Sequence, residues 1–254
     1  MKLSHWLNRW SFPIFISIGL LLVLIPAVMT FTADTFQNTR FEIAKIIIST
    51  IGACSGIICV LLLARRFNSG NVFGMIANVG ECIGNFMTGN IGAGLPVLYY
   101  MSTHIYGLRH WKTNQLEDGH VKVRQLSWLG YLYILIAIGV CSVISFALTP
   151  IMNAITINVL SLFDMNPPEG AILLNDPNIF IMSLNALIFG IGVVAQFTMI
   201  RRYAISWVLW IIFNVIYLTL QYSSSNWIFT GQYIFYMANS LYGFYVWKVA
   251  QRQG

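Results

Sequence analysis

The sequence predicts an all-α membrane protein of eight transmembrane helices. Two parallel three-helix repeats are joined by a linker helix, a 3+1+3 plan, with one extra helix in front. Three observations predict this: the near absence of charge, eight apolar stretches of span length, and a register of identities 136 residues apart. Of 254 residues, 57% are hydrophobic and 9% charged, against roughly a quarter charged in soluble domains. So few charges cannot clothe a water-facing surface, so the surroundings of most of this chain are lipid.

A helix rises about 1.5 Å per residue and the hydrocarbon core is about 30 Å thick, so about 20 apolar residues cross it. The stretches that qualify or nearly qualify are 12–31, 43–64, 72–88, 93–111, 127–148, 179–200, 206–222 and 229–248. The first follows Lys2 and Arg9 and imitates a signal peptide. It is longer than the roughly 7–15 residues of a signal-peptide core and no clear small-x-small cleavage site follows, so it is expected to be a retained span. The third and seventh are short, each followed by a brief uncharged loop. The 149–178 segment, with Pro167-Pro168, Asp164, Glu169 and Asp176, is expected to be an irregular external loop.

The basic residues orient these spans. Lys2 and Arg9 precede span 1, Arg65-Arg66 follow span 2, and Arg109, Lys112, Lys122 and Arg124 surround the loop after span 4. Arg201-Arg202 follow span 6, and Lys248 and Arg252 end span 8. All fall on one side if the chain crosses eight times, leaving Arg40 and Lys45 opposite. The positive-inside rule then places both termini in the cytoplasm of a multi-pass inner-membrane protein. A net charge of +6 would suggest nucleic acid in a soluble domain; here it serves orientation, and no nucleic-acid partner is expected.

Shifting the sequence by 136 positions aligns Gly56 with Gly192, Arg65-Arg66 with Arg201-Arg202, and Ile76 with Ile212. It also aligns Asn78-Val79 with Asn214-Val215, Asn90 with Asn226, and Tyr100-Met101 with Tyr236-Met237. Tyr106-Gly107 meets Tyr242-Gly243, and Trp111-Lys112 meets Trp247-Lys248. These thirteen identities exceed the roughly four or five expected by chance in such a window. Apolar bias matches Ile to Ile, but not Arg-Arg, Asn and Tyr-Gly-x-x-x-Trp-Lys in one register. The expected organisation is an extra helix over 1–42, a first bundle over 43–112, a linker helix and external loop over 113–178, and a second bundle over 179–254. Parallel repeats about an axis along the membrane normal are a transporter plan, with substrate held between the halves near midplane.

Polar residues at membrane depth mark the expected site. Span 3 carries Asn78, Glu81, Asn85 and Thr88 on one helical face, and span 7 carries Trp207, Trp210, Asn214, Tyr217 and Gln221 on a similar stripe. Asn239 and Tyr242 lie in span 8, and Gln196 in span 6. Amides also serve as packing glue between membrane helices, at about 0.6 kcal/mol each, and tryptophans as interface anchors. Glu81 is sharper, because a carboxylate at that depth costs a few kcal/mol and marks function by default. A protonated carboxyl in a helix–helix hydrogen bond, a proton site and a partner for a cationic substrate all remain open for it. Amides beside aromatic faces suit a flat heteroaromatic ligand, with cation–π attraction of about 0.5–2 kcal/mol if its ring is charged.

No phosphate-binding glycine loop, metal pair or nucleophile elbow is present, so no cofactor, no metal and no enzymatic activity are expected. Cys54, Cys59, Cys82 and Cys141 fall in apolar runs and read as small packing residues. His104 lies deeper in a span than the other histidines, and is read first as a satisfied packing residue and second as a lining of the cavity.

Trp207-x-x-Trp210-x-x-x-Asn214, Asn239-x-x-Tyr242-x-x-x-x-Trp247 and the repeat architecture resemble the bacterial PnuC family of vitamin transporters, most of all its nicotinamide riboside members. The resemblance covers nearly the whole chain. It implies a fold related to the SWEET sugar transporters and facilitated diffusion of nicotinamide riboside without a coupling ion, followed by cytoplasmic phosphorylation that traps the substrate. Through the motifs it carries the site onto Trp207, Trp210, Asn214, Asn239 and Tyr242; Gln196, Asn78, Glu81, Asn85 and Thr88 rest on depth and stripe. The expected partners are that small molecule and the lipid bilayer, with a homo-oligomer such as a trimer compatible. Thiamine or riboflavin as substrate, proton coupling through Glu81, and a receptor or scaffold without flux are the alternatives.

Overall fold

The structure, a computed structural model, describes residues 2–33, 39–87, 91–162, 179–223 and 227–253. They form eight helices and no named strand: α1 (Lys2–Thr32), α2 (Arg40–Ala64), α3 (Gly70–Met87), α4 (Ile91–Lys112), α5 (Trp128–Leu162), α6 (Ile179–Ile200), α7 (Ile205–Ser223) and α8 (Trp227–Gln253). Four contain stretches long and apolar enough to cross a membrane by length and composition: Phe12–Thr32, Glu42–Ala64, Trp128–Ile151 and Met182–Ile200. In α7 the apolar stretch is shorter, Ile205–Leu218. These four are α1, α2, α5 and α6; the amides, tyrosines and carboxylate gathered at the interior fall on α3, α4, α7 and α8 as well, which dilutes their hydropathy. The apolar surface is turned outward, as a lipid solvent requires: on α5, Leu135, Ile136, Val140 and Val143 are all exposed.

One expectation on element length changes. The irregular loop expected from residue 149 does not begin there, because α5 continues through Pro150 to Leu162. Proline removes one intrahelical donor and crowds the preceding turn. Thr149 Oγ1 donates to the Ser145 carbonyl one turn back, adding a bond where the ladder is interrupted. Pro167-Pro168 and the acidic residues of the expected loop lie outside the described residues.

Helices α2, α3 and α4 pack in sequence, as do α6, α7 and α8, and the two groups meet through α2 against α8 and α4 against α6. Helix α1 lies on α2 and α8, and α5 lies on α6 and α4, so the two outer helices occupy corresponding places. Several details recur at the offset of 136. Trp111 Nε1 donates to the Ile200 carbonyl at 2.9 Å, and Trp247 Nε1 to the Ala64 carbonyl at 3.1 Å, so each group's last helix caps the open end of the other group's first. Arg66 and Arg202 both adopt positive φ, 66° and 69°. Each sits just past a helix end, with the paired backbone bonds of a Schellman motif: Arg66 N to Leu63 O and Phe67 N to Leu62 O, and Arg202 N to Met199 O and Tyr203 N to Thr198 O.

The 113–127 segment runs across both arginine turns. Val121 N donates to the Arg66 carbonyl at 3.0 Å and Arg124 N to the Arg202 carbonyl at 2.8 Å. The side chains answer, Arg66 Nη1 to Val121 O and Arg202 Nη1 to Lys122 O. The basic turns after α2 and α6 and the loop after α4 therefore gather at one end of the bundle.

Helices α2 and α3 touch backbone to backbone at Gly52 and Gly80. A Cβ at Gly80 would fall 2.5 Å from the Gly52 Cα. Gly80→Ala is expected to destabilise the protein by about 1–3 kcal/mol through overpacking, read as a lower thermal midpoint in detergent. Gly139→Ala, where a Cβ meets nothing within 4 Å, is expected to leave the midpoint unchanged or raise it; equal effects of the two would contradict this packing.

Candidate functional site

Among the described residues, α3 and α7 do not pack against each other. Between them lies a cavity of about 90 Å³ walled by six helices, three from each group. Helix α2 supplies Gly56, Cys59, Val60 and Leu63; α3 supplies Gly74, Ala77, Asn78 and Glu81; α4 supplies Tyr100 and His104. From the other group come Gln196 and Met199 of α6, Trp207, Trp210, Phe213 and Asn214 of α7, and Tyr233, Tyr236 and Ser240 of α8. Asn78 and Asn214, and Tyr100 and Tyr236, are pairs at the 136 offset, so these polar groups have a like counterpart in the other group. The tyrosines cross: a Cβ at Gly56 would collide with the Tyr236 hydroxyl, and one at Gly192 with the Tyr100 hydroxyl. Only glycine leaves room for these rings to reach over.

Of the residues expected at the site, Asn78, Glu81, Gln196, Trp207, Trp210 and Asn214 line this cavity. Asn239 does not; it is fully buried and donates to the Val60 carbonyl at 3.0 Å, tying α8 to a cavity-lining stretch of α2. Tyr242 also lies off the cavity, stacked on Phe15 of α1 at 5.7 Å. The Asn85 side chain and Thr88 fall outside the described residues.

The polar groups are of two kinds. One set is satisfied internally. Gln196 Nε2 donates to Thr103 Oγ1 at 2.9 Å and to His104 Nε2 at 3.2 Å. His104 Nδ1 then donates to Asn71 Oδ1 at 2.9 Å, which sets the neutral tautomer, and Asn71 Nδ2 donates to Asn68 Oδ1. Gln232 of α8 donates to Tyr236 Oη at 2.6 Å and to Glu81 Oε1 at 3.4 Å, so the carboxylate of one group is held by an amide of the other, while Gln232 Oε1 itself is buried and unbonded. Asn214 Nδ2 donates to Ser240 Oγ. The second set has no partner: Asn78 Nδ2, Asn214 Oδ1, Trp207 Nε1 and Trp210 Nε1 are buried and unbonded. Each such atom costs about 1–3 kcal/mol, and these four stand on the wall of one cavity.

Aromatic faces complete the wall. Trp210 meets Tyr100 at 6.3 Å and Phe213 at 5.1 Å edge-on, and Phe213, Tyr217, Tyr233 and Tyr236 continue the cluster towards Glu81. Sequence reasoning passed over Tyr100, Tyr236, Tyr233 and Ser240 as site residues. The Tyr100–Tyr236 identity in the repeat was the signal that could have found two of them. His104 is both the packing residue expected and a wall of the cavity.

An all-helical, polytopic arrangement with a polar, aromatic cavity between two three-helix groups defines a membrane transporter. The chain belongs to the family described as nicotinamide mononucleotide transporter, whose model matches residues 46–249. It is 27% identical over 210 residues to the nicotinamide riboside transporter PnuC of Haemophilus influenzae (strain ATCC 51907 / DSM 11121 / KW20 / Rd), covering 81% of each chain. In fold it is similar to the crystal structure of the vitamin B3 transporter PnuC, with a TM-score of 0.65 and 20% identity over 98% of this chain and 93% of that one.

The two kinds of polar group respond differently to removal. His104→Leu strips Gln196 and Asn71 of a partner and is expected to cost about 1–3 kcal/mol of stability. Asn78→Leu replaces an amide whose Nδ2 is unbonded by an apolar group of similar size, and is expected to be neutral or stabilising. Thermal unfolding of the two variants in the same detergent checks this; a larger loss for Asn78→Leu would make that amide a packing element.

Proposed function

We propose that this protein carries nicotinamide riboside across a bacterial inner membrane by alternating access, the 43–112 and 179–254 bundles rocking about the cavity between α3 and α7. The observation that carries the reading is the cluster of unbonded buried donors and acceptors, Asn78 Nδ2, Asn214 Oδ1, Trp207 Nε1 and Trp210 Nε1, beside aromatic faces and one carboxylate. The substrate pairs a flat pyridinium ring and carboxamide with a ribose. Trp210, Tyr100 and Tyr236 offer faces to the ring, Glu81 offers charge opposite to it, and the two asparagines offer an acceptor and a donor to carboxamide or hydroxyls. Family membership and the PnuC relative support the substrate; the matching offsets support two repeats in a 3+1+3 plan. The convergence of the Arg66 and Arg202 turns with the 113–127 loop supports a cytoplasmic face holding both termini.

At about 90 Å³ the cavity is far below the roughly 300–1,000 Å³ of open ligand sites. A nucleoside therefore requires the walls to part, which assigns this arrangement to a closed stage of the cycle. The cross-group contacts that must loosen include Gln232 to Glu81 and Tyr236 over Gly56. Asn239, bonded to Val60 O, positions the α2 wall, so its loss acts on the site at one remove.

Glu81 favours a second reading, in which its carboxyl takes up and releases a proton with each turnover. Uniport of a cation carries charge, so uptake into proteoliposomes is expected to rise with an inside-negative potential, worth about 2.3 kcal/mol per charge at 100 mV, and to ignore a pH gradient. Uptake driven by a pH gradient and uncoupled from it by Glu81→Gln would establish proton coupling instead. Binding checks the site itself. Asn214→Ala is expected to weaken the affinity for nicotinamide riboside about tenfold or more, as loss of one buried hydrogen-bond partner implies, with little change for a variant on lipid-facing α5 such as Val143→Ala. Normal binding by Asn214→Ala would place the site elsewhere, and preference for thiamine or riboflavin would overturn the substrate.

A further inference from the structure

A second pocket lies at the basic end. It has a volume of about 310 Å³ and is lined by Asn114, Lys122, Val123, Arg124, Gln125, Arg202 and Gln251. Three of these residues are cations and none is a carboxylate. Arg202 is 6% exposed, and its Nε is buried and unbonded while Nη1 is spent on the Lys122 carbonyl. No carboxylate stands in an ion pair with it among the described residues.

Three considerations separate this pocket from an ordinary orientation signal. The positive-inside rule asks for charge near the membrane surface and gives no reason to bury it. A buried cation without a counter-ion is costly, and the guanidinium stays charged throughout. Burial and the neighbouring Arg124 and Arg201 do push the Arg202 pKa below its ordinary value. Arg202 also occupies a C′ position at φ 69°, where glycine is the relaxed choice. Its counterpart Arg66 has the same backbone, but Asp118 beside it favours its charge. The second turn has the cations without the acid.

We propose that this pocket binds a phosphate group, which supplies the missing negative charge and ties the 113–127 segment to the Arg201–Arg202 turn and the C-terminal end of α8. A phosphate suits this lining: Arg202 has an unbonded buried Nε, and Lys122 and Arg124, whose guanidinium lies over the Tyr203 ring at 4.9 Å, line the same pocket. The segment already bonds to both arginine turns, so a bound phosphate braces the face at which the two bundles must separate to open inward. The phosphate comes either from a soluble phosphate ester or from an anionic lipid headgroup.

The test uses the full-length protein in nanodiscs of neutral lipid, titrated with pyrophosphate at constant ionic strength, and in nanodiscs containing phosphatidylglycerol. Thermal unfolding is the readout, since a ligand that binds the folded state raises the midpoint in a saturable way. The comparison is the Lys122→Gln/Arg124→Gln double variant, which leaves Arg202 and the backbone bonds in place. A saturable rise with pyrophosphate in neutral lipid, its apparent affinity at least roughly tenfold weaker in the variant, supports the site and assigns a soluble ligand. A rise confined to phosphatidylglycerol discs and lost in the variant supports it and assigns the lipid. No saturable rise in either lipid, or the same rise in the variant, overturns the proposal. Nicotinamide riboside binding to the variant, expected unchanged, separates this outcome from failure of the transport site.

Discussion

Everything in this molecule depends on where polar atoms find partners in a solvent that offers none. In hydrocarbon every donor and acceptor must be met inside the protein, and the chain meets almost all of them by helix and by cross-helix bonds. The indoles of Trp111 and Trp247 show the economy: each caps backbone carbonyls at the end of the opposite bundle's first helix, joining the two groups with one hydrogen-bonding arrangement used twice. Four of the buried atoms left unmet stand on the wall of one cavity, Asn78 Nδ2, Trp207 Nε1, Trp210 Nε1 and Asn214 Oδ1.

The cavity walls divide the work. Thr103, His104, Gln196 and Asn71 form a closed set that spends its hydrogen bonds on itself and stiffens the boundary between α4 and α6. Asn78, Asn214, Trp207 and Trp210 are held in place by packing with atoms unspent. Such a wall is unstable relative to a fully paired core, because each unbonded buried atom carries its desolvation cost. Glycine supports both, since Gly52 and Gly80 let α2 and α3 close on each other while Gly56 and Gly192 let tyrosines cross between bundles.

Much of this was legible in the sequence, for reasons that differ by element. Helix number followed from hydropathy and from basic residues after Leu63-Ala64 and Met199-Ile200, because lipid imposes a strong constraint on length and charge. Asn78, Glu81 and Gln196 were legible because period 3.6 and depth locate a side chain in a bilayer, and Trp207, Trp210 and Asn214 were reached through the motif as well. Asn239 and Tyr242 were drawn by their place in a motif, which carries no information about which face of α8 meets the cavity; one bonds to Val60 O and the other stacks on Phe15. Tyr100 was hidden because aromatic rings also serve as anchors and packing, and its crossing over Gly192 is what brings it to the cavity wall. The extension of α5 past Pro150 was hidden because proline reads as a stop where the surrounding helix is in fact continuous.

The central claim is that substrate occupies the space between α3 and α7 and uses the atoms left unbonded there. A cryo-electron-microscopy map of the protein with nicotinamide riboside tests it most directly. Ligand density is expected to touch Asn78, Asn214 and Trp210, with α3 and α7 further apart than in the closed cavity. Ligand density beside Asn239 and Tyr242 at the α1–α8 face, with the α3–α7 cavity empty, would contradict it.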